Sequence, residues 1–390
     1  MNQAERSIIG SPVSTQQQAD PKTHLRPTLL CLSHLRWGFV YQRPQHVMSR
    51  LAQGYDVLFF EEPVHQPIAA PRLDVERPAP GVTLLVPVLP EGLDETEACA
   101  AQRQLLDQWL DTHPANSLLL WYLTPMSLAF TDHLQAEVVI FDCMDELSAF
   151  KYAPPALVEM ERKLMERADV VFTGGYSLWE AKRQQHANVH AMPSSVDIAH
   201  FAAARQSLPE PADQAGIAHP RLGFFGVIDE RFDIALVQAM AQQRPDWQIV
   251  LVGPVVKIDP ATLPRMPNIH YLGGKRYEEL PSYLSGWDVA LMPFALNEST
   301  RYISPTKTPE YLAGGRPVVS TPIRDVIDGY GLSGVVSIAG SPGAFIEAVE
   351  GALALRRDPE RLLALADQAL EGKSWDRTCA DMKEHIECLR

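Results

Sequence analysis

Residues 297–321 read NESTRYISPTKTPEYLAGGRPVVST, and the order of residue types here decides how the chain folds. Ser304-Pro305 is a helix-start signal: serine is a preferred N-cap, and proline at the first helical position gives up only an N–H that has no intrahelical partner. Gly314 and Gly315 stop that helix after about nine residues. Pro317-Val318-Val319-Ser320 then reads as a strand. A loop feeding a helix start at the mouth of a sheet is an anion site, because free N–H groups and the positive dipole end favour phosphate. Lys307 in the first turn puts a positive charge where the dipole prefers an acid, which suits an anion held there. Glu310, one turn deeper, can accept from ligand hydroxyls. Equally, Lys307 and Glu310 can pair with each other at i, i+3, worth about 0.2–0.5 kcal/mol.

The same alternation extends outward. Strand-length apolar runs at 222–227, 248–252, 268–272 and 288–293 alternate with helical patterns at 233–243 and 278–285, and helices follow at 341–356 and 359–371. An earlier block has strands at 28–33, 56–61, 82–88, 117–123, 137–142, 169–173 and 188–192, with helices at 44–53, 94–112, 126–134, 155–168 and 177–184. These runs are apolar on both faces, as parallel strands buried under helices are. A connector rich in Ala, Pro and Gln, residues 202–220, divides the blocks. The expected fold is α/β: two doubly wound, Rossmann-like domains facing across a cleft. The divisions are a loose tail at 1–27, a first domain at 28–205, a second at 206–374 and a last segment at 375–390. Ligands of such sheets sit at the carboxyl ends of the strands, so functional residues should lie just after strands and at helix starts.

Composition narrows the function. With 34 Lys plus Arg against 48 Asp plus Glu, the 390-residue chain carries a net charge of −14, which argues against a nucleic-acid binder. Five scattered cysteines without a Cys-x-x-Cys give neither a disulfide framework nor a zinc site and fit a reducing compartment. No apolar run approaches the roughly 18 residues of a membrane helix. The first twenty residues lack the apolar segment of a signal peptide. The expected location is cytoplasmic.

The segment from Glu310 to Val319 resembles the Glu-x-x-Ala-x-Gly-x-Pro-Val-Val motif of GT-B glycosyltransferases, especially the large family-four class. Gly223-Phe224-Phe225-Gly226, Ile249 to Pro254 and Asn268 to Gly273 are similar to further family segments, in the family's order. So are Ala168 to Thr173 and Met192 to Asp197. Leu35 to His46 resembles a bacterial subgroup used in surface-polysaccharide synthesis, similar to teichuronic-acid-type transferases. The resemblance implies transfer of a sugar from a nucleotide-diphosphate donor, held by the second domain, to a glycan or lipid-linked acceptor. It implies no cofactor and no metal. The final helix would cross back to the first domain, and peripheral contact with the inner face of the membrane is left open.

Carried over by position, Glu310 would hold the donor ribose, while the Thr306 and Lys307 amides with the Lys307 ammonium would meet the diphosphate; Tyr302 and Ser304 are further donor-side candidates. Gly226 and Gly253 would allow close backbone approach, and Tyr271 to Arg276 would wall the nucleobase. Arg231 could stabilise the departing diphosphate, since the leaving group gains negative charge. It reads equally as a solvated charge in Asp229-Glu230-Arg231. Retaining members carry two glutamates separated by seven intervening residues; here Tyr302 takes the upstream position, which leaves stereochemistry open. On the acceptor side, Trp37 could stack on a sugar, and Gln42 and Arg43 sit in the same loop. Asp142, at a strand end, is the candidate general base and His34 a second. Each also has an ordinary structural reading: packing for Trp37, loop capping for Asp142. Asp142 and Asp145 stand three apart and do not form Asp-x-Asp. Competing functions are a GT-B nucleotide-sugar epimerase and a catalytically silent nucleotide-sugar or carbohydrate-binding protein. An oxidoreductase fits poorly, because Ser33 to Gly38 is not a Gly-x-Gly-x-x-Gly turn.

Overall fold

The computed structural model describes residues 26–390, so the expected tail lies almost wholly outside the described residues. The first domain is built on strands β1 (Thr28–Leu32), β2 (Asp56–Phe60), β3 (Val64–Gln66), β4 (Arg72–Ala79), β5 (Val82–Pro90), β6 (Leu118–Tyr122), β7 (Val138–Cys143), β8 (Val170–Thr173) and β9 (Val189–Ala191). They run in the order β3-β5-β2-β1-β6-β7-β8-β9, parallel throughout, with β4 added antiparallel on β5. The central strands are apolar on both sides because helices cover both faces: Leu29 and Cys31 point into one core, Leu30 and Leu32 into the other.

The second sheet holds β10 (Arg221–Phe225), β11 (Gln248–Val252), β12 (Ile269–Gly273), β13 (Val289–Met292), β14 (Val318–Ser320) and β15 (Val336–Ile338). Its order is β12-β11-β10-β13-β14-β15, all parallel. The strand order reverses between β10 and β13, which opens a crevice at the carboxyl ends. Gly223 on β10 leaves room for the Trp287 indole; a Cβ there would sit 1.8 Å from the ring.

Several expectations need correction. Strands β3 and β4 were not expected, because β4 lies at the rim and carries Arg72, Asp74, Glu76 and Arg77 in place of an apolar run. The expected helix at 126–134 is a 3₁₀ turn, Pro125–Ser127, and one α turn, Leu128–Thr131. The chain also enters the second domain earlier than residue 205. Met192 still packs in the first core, whereas Val196, Phe201 and Ala204 are buried in the second. The Pro- and Gln-rich composition that marked the connector belongs to a segment already docked there.

The return crossing lies alongside. The Trp375 N–H donates to the Val196 carbonyl at 3.2 Å. Helix Trp375–Glu387, capped by the Ser374 side chain, then puts Trp375, Cys379, Met382 and Ile386 into the first-domain core at helical spacing. The indole of Trp375 is fully buried and stacks on His46 at 4.9 Å. Replacing Trp375 with Ala should cost about 3–5 kcal/mol of first-domain stability, seen as a lower urea midpoint. An unchanged midpoint would show that the helix does not complete that core.

Candidate functional site

The carboxyl ends of the two sheets face each other across a cleft of about 1160 Å³ that is open to solvent. On the second-domain side, Gly226 follows β10 with φ of 145° and Gly253 follows β11 with φ of 149°. Only glycine takes this backbone without strain. It is also the only residue that fits: a Cβ on Gly226 would stand 2.1 Å from Lys307 Cε, and one on Gly253 would stand 1.8 Å from the Gly226 carbonyl oxygen.

The loop after β13 brings Ser304, Thr306, Lys307 and Glu310 to the same wall. Here the helix start needs correction. The helix is Lys307–Ala313, and Ser304 does not cap it; the backbone stays non-helical through Pro305, so Ser304 and Pro305 line the cleft. Two turns of helix make a weak dipole, and the positive charge at this wall is chiefly the Lys307 ammonium. Its Nζ lies 5.8 Å and 5.9 Å from the ring centres of Phe224 and Phe294.

Among the described residues, neither Lys307 nor Glu310 makes an ion pair within 4.0 Å, so the i, i+3 pairing is not formed. Burial drives the Lys307 pKa down, opposed by the Glu310 carboxylate. Burial likewise pushes Glu310, only 6% exposed, up to about 7, with Lys307 holding it back. Two opposite charges thus face one cavity without satisfying each other.

Arg231 lies on the cleft wall and is not a solvated surface charge. The buried Asp229 carboxylate grips it at 3.0 Å, 3.1 Å and 2.6 Å, and its guanidinium sits 5.4 Å from the centre of the Phe150 ring of the first domain. From the first domain Asp145 enters the cleft, its pKa pushed up to about 6 by burial and restrained by Arg231, Arg43 and Lys307.

The acceptor-side expectations fare less well. Asp142 and Arg43 are locked together: Arg43 Nε donates to both carboxylate oxygens at 3.1 Å and 3.2 Å, and Nη2 donates to Oδ1 at 2.7 Å. Arg43 Nη1 donates to the Met192 carbonyl. With 1% and 3% exposure respectively, Asp142 is no free base and Arg43 no free anion receptor. The physical reason is that a carboxylate at the end of the central strand β7 must be paired when buried. Trp37 packs in a T-shaped pair with Phe59 at 5.1 Å, its backbone N–H donates to Glu61, and it does not line the cleft. His34 is off the cleft wall; burial lowers its pKa to about 4, and its Nδ1 is buried without a partner. Gln42 does line the cleft, at the start of helix Arg43–Leu51.

Three donor-side expectations also move. Tyr271 turns away from the cleft, its hydroxyl donating to the Pro264 carbonyl at 3.1 Å. Arg276 is exposed and pairs with Glu279 at 3.1 Å. Lys275 and Tyr277, one residue to either side of Arg276, line the cleft instead. Tyr302 faces a separate groove with Glu298 and Arg301, so the missing upstream glutamate is not a gap in this cavity. Sequence reasoning gave no role to Tyr41 or Tyr277, named Lys275 only within the stretch Tyr271 to Arg276, and named Asp145 only beside Asp142; their place just after strands or in the first-domain loop is what could have marked them. Among the described residues, no three His, Cys, Asp or Glu side chains gather as a metal-ligand set.

Comparison with known proteins places this geometry. Residues 219–354 match the family model described as Glycosyl transferases group 1. Over 218 residues the chain is 28% identical to a Bacillus subtilis (strain 168) protein described as "Putative teichuronic acid biosynthesis glycosyltransferase TuaH". That match covers 52% of this chain and 55% of the relative, so it spans about half the length of the curated protein. Among solved structures, sucrose-phosphate synthase from Thermosynechococcus elongatus superposes with a TM-score of 0.72 at 16% identity, covering 93% of this chain and 99% of that one. Anabaena Alr3699/HepE in complex with UDP and glucose gives 0.65 at 14%, covering 93% and 100%. These structural likenesses show the fold, which is GT-B.

Substituting Arg43 with Ala leaves Asp142 buried and unpaired, and should cost about 3–5 kcal/mol of stability in chemical denaturation. Unchanged stability would return Arg43 to the list of ligand-binding residues.

Proposed function

We propose, from a GT-B fold whose second domain matches the Glycosyl transferases group 1 model, that this chain is a glycosyltransferase. It moves a sugar from a nucleotide-diphosphate donor to a glycan or lipid-linked acceptor in cell-surface polysaccharide synthesis. The observation that carries the reading is the pair of unmet charges, Lys307 and Glu310, on one cleft wall beside Gly226. A nucleoside diphosphate supplies an anion for the ammonium and further hydroxyl donors for the carboxylate, which the Thr306 side chain already supports. Two structural neighbours are described as bound with UDP-2-fluoro glucose and with UDP and glucose, which supports a nucleotide-sugar donor. The likeness to TuaH supports the polysaccharide context. Among the described residues no helix is long and apolar enough to cross a membrane. For a lipid-linked acceptor the reading includes peripheral contact at the inner face.

In this reading the diphosphate lies against Gly226, Thr306 and Lys307, with the ribose at Glu310. As the glycosidic bond breaks, charge builds on the leaving diphosphate. Lys307 and Arg231 meet that charge in a recess of low dielectric, where fixed positive groups act most strongly on the transition state. Asp229 holds the Arg231 fork in place, so little reorganisation is needed. Asp145 approaches from the first domain and takes the role that Asp142 cannot, receiving the acceptor proton.

Incubation with a panel of nucleotide sugars and cell-envelope acceptors should release nucleoside diphosphate. No donor binding anywhere in the panel would overturn the reading, and donor turnover without acceptor would point to an epimerase. Glu310→Ala should weaken donor binding by about tenfold or more, the loss of a charge-assisted hydrogen bond. Asp145 and Glu310 act as carboxylates with pKa values raised to about 6 and about 7, so activity should fall as pH drops through that range. In Asp145→Asn the residual activity should lose the lower of these two steps. An unaltered acid limb would remove Asp145 from the reaction.

A further inference from the structure

We infer that Lys182 acts as a positioning residue: through Glu146 it fixes where the Asp145 carboxylate stands in the cleft. The inference rests on the role given to Asp145 above and adds the device that holds it.

The chain divides two cavities at these residues. Asp145 lines the cleft, whereas Glu146 lines the separate groove that Tyr302 also faces, so the backbone at 145–146 is a partition between them. Residues 144–150 leave β7 with no regular structure beyond one 3₁₀ turn, Leu147–Ala149. Such a loop does not hold a carboxylate still by its own backbone bonds. Side chains do it here. Both oxygens of Glu146 are taken: the Lys182 ammonium donates to Oε2 at 2.6 Å, and the Ser148 hydroxyl donates to Oε1 at 2.6 Å. Lys182 donates to Glu161 as well. The lysine is 5% exposed and ends helix Tyr176–Lys182, while Glu161 lies on helix Leu157–Arg167. Two first-domain helices thus grip the loop at Glu146. Ser299 of the second domain grips it further on, donating to the Ala149 carbonyl at 2.9 Å.

Stability does not account for this arrangement. One carboxylate is enough to neutralise a buried ammonium, and the second leaves the cluster with an excess negative charge. Burial raises the Glu161 pKa, Lys182 opposes the rise, and the Glu146 charge adds to it, the mark of like charges brought together. Apolar side chains in place of a buried ion cluster are often as stable or more so. What the cluster supplies is direction. An ammonium with fixed donors turns Glu146 into the groove, and the peptide that joins the two residues then turns Asp145 into the cleft. A reacting group misplaced by about 1 Å can cost about a hundredfold in rate.

Glu146 is the link to cut, because Lys182 and Glu161 still form a complete pair without it, whereas Lys182→Met strands buried carboxylates. Hydrogen exchange on the full chain reads the loop. In Glu146→Ala, residues 144–150 should exchange about tenfold or more faster, with the rest of the first domain and the melting temperature unchanged. Glu146→Gln keeps an acceptor for the ammonium and should behave as the unaltered protein. Carbon-13 NMR of the carboxyl groups, assigned with Asp145→Asn, reads the side chain itself. In place, Asp145 is held up at about 6 by burial and by Asp142, against Arg231, Arg43 and Lys307. In Glu146→Ala it should titrate near the ordinary aspartate value of about 4, and in Glu146→Gln it should stay. An Asp145 titration that does not move in Glu146→Ala overturns the inference. So does faster exchange across the whole first domain, which would make the cluster merely structural. With the donor and acceptor found in the panel, Glu146→Ala should lower kcat about a hundredfold and leave the donor KM unchanged. A titration that moves while kcat does not takes Asp145 out of the reaction and leaves the tether standing.

Discussion

Two charges of opposite sign, Lys307 and Glu310, are carried into one recess a helical turn apart and kept from touching. Burying an ionised group without a partner costs several kcal/mol, so the free protein holds this arrangement at the expense of stability. The sign can be read from the carboxylate. With its pKa raised to about 7, Glu310 favours the folded state below the ordinary carboxylate range and withdraws that contribution as pH rises through about 7. Much of the surrounding geometry follows from holding the pair apart. Gly226 is bare so that the lysine stem can lie across it, and Phe224 and Phe294 flank the ammonium without pairing with it.

What could be read in advance follows from what each residue type tells. Strands such as β1, β7 and β11 were legible because burial on both faces demands an unbroken apolar run. Strand β4 was not, because a rim strand needs no such run. Gly226, Gly253, Lys307 and Glu310 were legible because close backbone approach and a charge at a helix start leave a mark in composition. The choice between Asp142 and Asp145 was not. It turns on Arg43, 99 residues away in the chain, whose arrival beneath β7 decides which carboxylate is consumed by structure. The same holds for Arg276 against Lys275, where a one-residue difference of direction in a loop exchanges a surface ion pair for a place on the cavity wall.

The facing of the two domains is itself secured by polar groups. Asp325, at the start of helix Arg324–Tyr330 in the second domain, accepts from the Tyr176 and Ser177 N–H groups at 3.0 Å each, and so caps the first-domain helix Tyr176–Lys182. Gly175 must be glycine for this, since a Cβ would stand 2.0 Å from the Asp325 carboxylate. Across the cleft Tyr41 stacks on Tyr277 at 4.5 Å, and Ser299 donates to the Ala149 carbonyl. Directional bonds of this kind fix one relative orientation in a way that apolar contact alone does not.

The two crossings between domains have a consequence for how the molecule is made. Since Trp375, Cys379, Met382 and Ile386 complete the first core, the domain begun first on the ribosome is finished last. The second domain has all of its strands before helix Trp375–Glu387 emerges, so it can close on its own while the first waits with an apolar face uncovered. The nascent chain therefore completes its second domain before its first, and its aggregation-prone interval lasts until helix Trp375–Glu387 has emerged.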